Sequence, residues 1–195
     1  MSPPSLTFPF SRRGFLANGA KLSALSVALL AGLSSRAHAV VSGPVTQQDI
    51  DVLNVILGTE QEGIAAYQVF MDRHLLQKDG LKLATLIQSQ HETHRDVLAA
   101  IIRRLGGTPV TARTEKEYAA ALDIDKIEDQ AAALKLATVL ERGAANAYIG
   151  MMPSTHDSEI AKTAGRIAAD EVMHWTALVT MLHEPLPLKA MSFGT

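Results

Sequence analysis

Two stretches of the chain place a glutamate seven residues ahead of a tyrosine: Glu60 and Tyr67 in "TEQEGIAAY", and Glu141 and Tyr148 in "LERGAANAY". Two others place a histidine three residues after a second donor-type side chain: His91 and His94 in "SQHETHRDVL", and Glu171 and His174 in "IAADEVMHWTAL". Carboxylates and imidazoles are the donors of transition-metal sites. On a helix, residues three apart are neighbours and can reach one ion. The sequence has no Cys, which excludes thiolate metal sites, iron–sulfur clusters, disulfides and a cysteine nucleophile. Any metal must therefore be held by Asp, Glu or His.

These residues need helices to position them, and the chain supplies helices. From Thr46 onward apolar residues recur at three and four, and strand signals are absent. The pattern predicts a first long helix from about Thr46 to Gln77, with Ile50, Leu53, Leu57, Ile64 and Met71 on one stripe and "KDG" (Lys78 to Gly80) closing it. A second runs from Leu81 to Leu105 and stops at "GGTP". A third spans roughly Lys126 to Met152 and a fourth Ser158 to His183, joined by "PSTHD". Short joints make two antiparallel hairpins. Between them lies a long crossover with a short helix from Thr114 to Leu122, long enough to return along the bundle and leave the second and third long helices parallel.

Glu60 and His94 are 34 residues apart, and Glu141 and His174 are 33 apart. Nearly equal separations in antiparallel hairpins bring both pairs to equivalent depths. The stripe of the second helix passes through Ile87, His91, His94, Leu98 and Ile101, and that of the fourth through Ile160, Ile167, Glu171, His174 and Leu178. No Lys or Arg lies on these stripes to compensate the carboxylates, whose burial unpaired is costly. Asp170 falls on the flank, Glu92 points elsewhere, and Glu62 is rotated from Glu60 toward solvent, with a ligand slot for it left open. Tyr67 and Tyr148 suit either hydrogen bonds to a ligand on a facing helix or plain core packing. Trp175 reads as structural, and His74, His156 and His183 fall near helix ends or in loops.

The segment from Thr46 to His183 resembles the ferritin-like superfamily, especially exported single-domain members distantly related to rubrerythrin and bacterioferritin. The resemblance implies an all-α four-helix bundle. It also implies a di-iron or di-manganese centre built from one Glu on each of two helices and a Glu-x-x-His pair on each of the others. Glu60 and Glu141 match the lone glutamates, Glu171 and His174 one complete pair, and His94 the second histidine. His91 stands where that pattern has Glu. With one nitrogen for one metal, it costs the centre a bridge and leaves two divalent ions facing three carboxylates. The outcomes are a dinuclear site bridged by Glu171 alone, a mononuclear site, or a remnant. The N3O3 donor set suits iron, manganese or zinc, with the added imidazole shifting preference toward zinc or copper, and the resemblance puts iron foremost.

The 195 residues, 47% hydrophobic and 19% charged, suit one globular domain. "SRRGFL" followed by a moderately apolar run from Gly19 to Leu33 and by "AHA" (Ala37 to Ala39) resembles a twin-arginine export signal. That run is shorter than the roughly 20 apolar residues of a membrane span. The expected organisation is a leader over 1–39, a ferritin-like bundle over 40–183 and an irregular tail over 184–195, delivered by the translocation machinery to the periplasm or the exterior with no stable membrane anchor. The leader holds Arg12, Arg13, Lys21 and Arg36 and no acid, so its removal takes the net charge from −2 to −6, which disfavours a nucleic-acid partner. No phosphate loop or Ser-His-Asp set stands out, and the histidines of "HETH" have the wrong spacing for a zinc-protease helix. Metal oxidation by dioxygen or peroxide, metal sequestration or delivery without turnover, and a structural or partner-binding bundle with a protonated Glu–His network all remain open, as does the oligomeric state.

Overall fold

The computed structural model describes residues 47–194. The leader expected over 1–39 and the helix start expected at Thr46 lie outside those residues. Five α-helices and no strand are present among the described residues: α1 (Gln47–Asp72), α2 (Lys78–Arg104), α3 (Glu115–Ala121), α4 (Gln130–Met151) and α5 (Ser158–Met181). None is long and apolar enough to cross a membrane.

Helix ends follow local chemistry. Leu105 caps α2, and Gly106 takes up φ +84°, so that Gly106 N–H reaches Arg103 O and Gly107 N–H reaches Ile102 O, a Schellman stop. α1 and α5 end in the same pair of bonds with His74 and His183 at positive φ, which accounts for two of the histidines without metal chemistry. The "KDG" segment does not close α1. It forms the first turn of α2, because Gln130 lays its side chain against Gly80 and accepts the Gln77 N–H at 2.6 Å. Gly80 gives room for a close approach rather than a stop. Thr114 opens α3 with a capping box closed by Glu117, and Asp129 and Asp157 cap α4 and α5.

α1 packs on α2 and α4 on α5 as two hairpins, with further contact between α1 and α4. Tyr67 reaches Glu141 and Tyr148 reaches Glu60, so α1 and α4 run antiparallel, and α2 and α4 are parallel. The crossover makes this possible by running along α1. Asn54 bonds Thr108 O and Val110 N–H, Gln61 bonds Val110 O, and Arg73 bonds Ile124 O.

Apolar side chains collect in two clusters. One joins Leu53, Ile56 and Leu57 to Leu98, Ile102, Met151, Ile160 and Ile167. The other joins Phe70, Ala84, Ile87, Leu134, Ala137 and Leu178. Each fully buried Leu, Ile or Phe contributes about 1.5–3 kcal/mol. Together these clusters can carry the cost of the polar layer between them, which holds all six donor side chains.

Candidate metal centre

The polar layer takes one side chain from α1, two from α2, one from α4 and two from α5. Glu60, His91, His94, Glu141, Glu171 and His174 are all buried, Glu141 and Glu171 completely at 0% exposure. Four-residue groups converge twice. Glu60, His91, His94 and Glu171 each offer a donor atom within 4.8 Å of the others, and so do His91, Glu141, Glu171 and His174. His91 and Glu171 belong to both groups, while Glu60 with His94 and Glu141 with His174 each belong to one.

The shared residues face both ways. His91 Nδ1 lies 2.7 Å from Glu60 Oε2, and its Nε2 lies 3.2 Å from Glu141 Oε1. Glu171 Oε1 is 3.0 Å from His94 Nδ1, and Glu171 Oε2 is 3.6 Å from His174 Nδ1. Gly63 lies against the His91 ring: a Cβ there would stand 3.4 Å from its Cε1 and Nε2, at the tight edge of ordinary contact.

A surrounding set of polar groups orients the donors, and every link crosses between hairpins. Tyr67 donates to Glu141 Oε1 at 2.6 Å, and Tyr148 donates to Glu60 Oε1 at 2.5 Å. Asp170 holds His94 Nε2 at 3.3 Å, and Gln90 holds His174 Nε2 at 2.5 Å. Both histidines are thereby turned to present Nδ1 inward. Partners of this kind fix the tautomer and ring orientation of metal-binding histidines. Gln90 and Asp170 each sit four residues before their own hairpin's histidine and reach the other's. Gln90 was not among the sequence candidates, although the internal repeat that pairs it with Asp170 was there to be read.

The electrostatics follow from mutual proximity. Burial works to raise the Glu60 carboxyl, but His91 and His94 together hold it at about 2. Glu141 is likewise lowered by His91 and His174 against the effect of burial. Burial and the two neighbouring carboxylates outweigh His91 at Glu171, whose carboxyl is pushed up. Burial opposes charge on the imidazoles, yet Glu171 and Glu60 raise His94 to about 10, and Glu141 with Glu171 raises His174 to about 9. His91 is raised by Glu141, Glu171 and Glu60. The imidazoles and carboxylates of the layer thus stabilise one another's charged forms, Glu171 excepted.

That network is incomplete. Both Glu171 oxygens and His94 Nδ1 are buried, and although Glu171 Oε1 and His94 Nδ1 stand 3.0 Å apart, none of the three is in hydrogen-bond geometry with a partner. A buried acceptor left unmet costs roughly 1–3 kcal/mol. Three such atoms meet at the inner edge of the cluster, and all are metal-donor types. The donor set therefore fits a divalent transition ion.

Glu62 departs from its expected place. It is 2% exposed and 3.8 Å from Arg113, because the crossover covers the face of α1 that a four-helix count leaves to solvent. Glu92 is exposed. His156 pairs with Asp49 at 3.1 Å, away from the cluster. Trp175 packs edge-on against Phe193 at 5.1 Å, and Arg142 lies over both rings and bonds Ser192 O. The irregular tail is thus latched to α4 and α5.

A family model described as the ferritin-like domain matches residues 48–184. Among solved structures, the chain is similar to a conserved hypothetical protein from Mycobacterium tuberculosis, with a TM-score of 0.60 and 18% identity over 74% of this chain and 98% of that one. At that identity the likeness speaks to fold alone. No curated protein matches the chain.

Proposed function

The chain belongs to the ferritin-like domain family, and from that premise we propose that it is an exported protein whose bundle core holds one or two transition-metal ions, iron foremost. Glu60, His91, His94, Glu141, Glu171 and His174 would be the ligands. The observation that carries this reading is the pair of overlapping four-donor groups with unpartnered Glu171 oxygens at their junction. When bound, iron supplies one-electron redox chemistry, two ferrous ions together providing the electrons that reduce one peroxide to two hydroxides. The chain's own part is to hold and screen. Tyr67 and Tyr148 fix the lone glutamates, Asp170 and Gln90 fix the histidines, and the apolar clusters on either side restrict water.

A second reading, sequestration or delivery without turnover, draws support from the imidazole at position 91, which moves the donor set toward zinc or copper. Cleavage after Ala39, following passage through the twin-arginine route, would leave the bundle in the periplasm or outside the cell. That route carries folded proteins, which suits a core loaded before export.

Metal analysis of the full chain purified from its native compartment tests the shared claim. One or two ions per chain are expected, and stoichiometric loss is expected in Glu141→Ala. Sub-stoichiometric metal unaffected by that substitution would overturn both readings. Anaerobic loading with ferrous iron followed by air then separates them, since a redox centre promptly develops an oxo-bridged ferric absorption and a binder leaves the iron ferrous and colourless.

A further inference from the structure

Resting on the metal-centre reading, we propose that His91 is a bridging ligand, its ring joining two metal ions through Nδ1 on one side and Nε2 on the other. The two nitrogens of an imidazole point in divergent directions, and here each direction ends in a different half of the cluster. Nδ1 faces Glu60 at 2.7 Å, and Nε2 faces Glu141 at 3.2 Å. Those glutamates belong to separate donor groups, whose only common members are His91 and Glu171. Glu171 divides its two oxygens between His94 and His174 in the same way. A ring that served one metal alone would leave its second nitrogen buried against the other half's carboxylate, where an ion is to sit.

Charge points the same way. Glu60, Glu141 and Glu171 supply three negative charges against four positive charges on two divalent ions. Bound through both nitrogens, the imidazole would release its remaining N–H proton to solvent and carry the fourth. His91 would then replace a bridging glutamate in both denticity and charge. Its neighbours hold the ring where this demands. Gly63 lies against one side, and the Tyr67 ring is 5.9 Å away at a 30° tilt. The rings of His94 and His174 stand at 5.9 and 5.4 Å. An imidazole bridge also keeps the ions further apart than the roughly 3.5–4 Å of ordinary two-metal sites.

Cupric ion titrated into the full chain, read by electron paramagnetic resonance of frozen samples, tests the bridge. The expected result is two ions per chain and near-complete loss of the cupric signal at the second equivalent, because spins joined through one ring couple. His91→Gln should restore the signal of isolated ions, while Glu171→Gln should leave coupling wherever two ions still bind. Two bound ions with full signal in the wild type, a single ion per chain, or coupling that persists in His91→Gln would each overturn the bridge while leaving the metal-centre reading intact. Absence of bound metal would overturn both. The wild-type titration is decisive even if a variant fails to fold.

Discussion

The two hairpins share one frame and differ in two residues. In each, a glutamate precedes a tyrosine by seven, and a histidine follows two polar residues placed three and four before it. The α1–α2 hairpin fills those places with His91 and Gln90, and the α4–α5 hairpin with Glu171 and Asp170. Packing is therefore nearly two-fold symmetric while charge is not. The crossed hydrogen bonds carry the asymmetry across, since Asp170 holds His94 and Gln90 holds His174. A shared frame sets where donors sit, and single side chains within it decide what they bind.

Removal of a lone glutamate should produce the largest effect, and by symmetry about the same effect in either hairpin. Glu141→Ala strands Tyr67, His91 and His174, and Glu60→Ala strands Tyr148, His91 and His94. Breaking a buried ionic pair costs roughly 3–5 kcal/mol. Chemical denaturation of the metal-free variants should show that loss, and metal analysis should show fewer ions. A variant that kept full metal while its counterpart lost it would break the symmetry of the two halves.

His91→Glu removes the difference itself. The shared position then carries a carboxylate like Glu171, which has two oxygens for two ions. Iron oxidation, followed by stopped-flow absorbance, should speed up, roughly tenfold for each 1.4 kcal/mol by which a closer, carboxylate-bridged pair of ions lowers the barrier. An unchanged metal count and rate would place His91 outside the ligand set.

How much of this was legible in the sequence follows from the same symmetry. The repeat of Glu and Tyr at seven and the matched hairpin lengths located the shared level, because periodicity along a helix maps directly to a face. The long helices and the crossover were readable from apolar spacing and loop length. Helix ends were less so, because Gly80 reads as a stop until Gln130, far away in sequence, is laid against it. Glu62 departs from the expectation for a related reason: a helical wheel does not know that the crossover will bring Arg113 to it. The two faces of the His91 ring were invisible to spacing, which gives a residue's side of the helix but not the directions of its nitrogens.

The tyrosines test the crossing at lower cost. Tyr67→Phe and Tyr148→Phe each delete one buried hydrogen bond to a carboxylate, worth about 1.5–3 kcal/mol to the fold. Loss of such an orienting partner weakens metal affinity by roughly 10–100-fold. Competition titration with a chelator should find similar losses for the two variants, with the double variant worse than either. A large effect from one tyrosine and none from the other would show that only one half holds an ion.

Gly63→Ala should have the smallest effect and bears on the ring alone. Ala is favoured over Gly within a helix by about 0.8–1 kcal/mol, and Gly63 lies inside α1. The new methyl group would meet His91 Cε1 and Nε2 at 3.4 Å, at the tight edge of ordinary contact. If His91 already occupies its working position, the propensity gain prevails and Tm rises by roughly 2–4 °C, with metal count unchanged. If the ring must swing toward α1 to engage an ion, the methyl group blocks it, and metal falls while the metal-free protein stays stable. Thermal melts with and without metal on the one variant therefore distinguish a ring preset between the halves from one that moves into place.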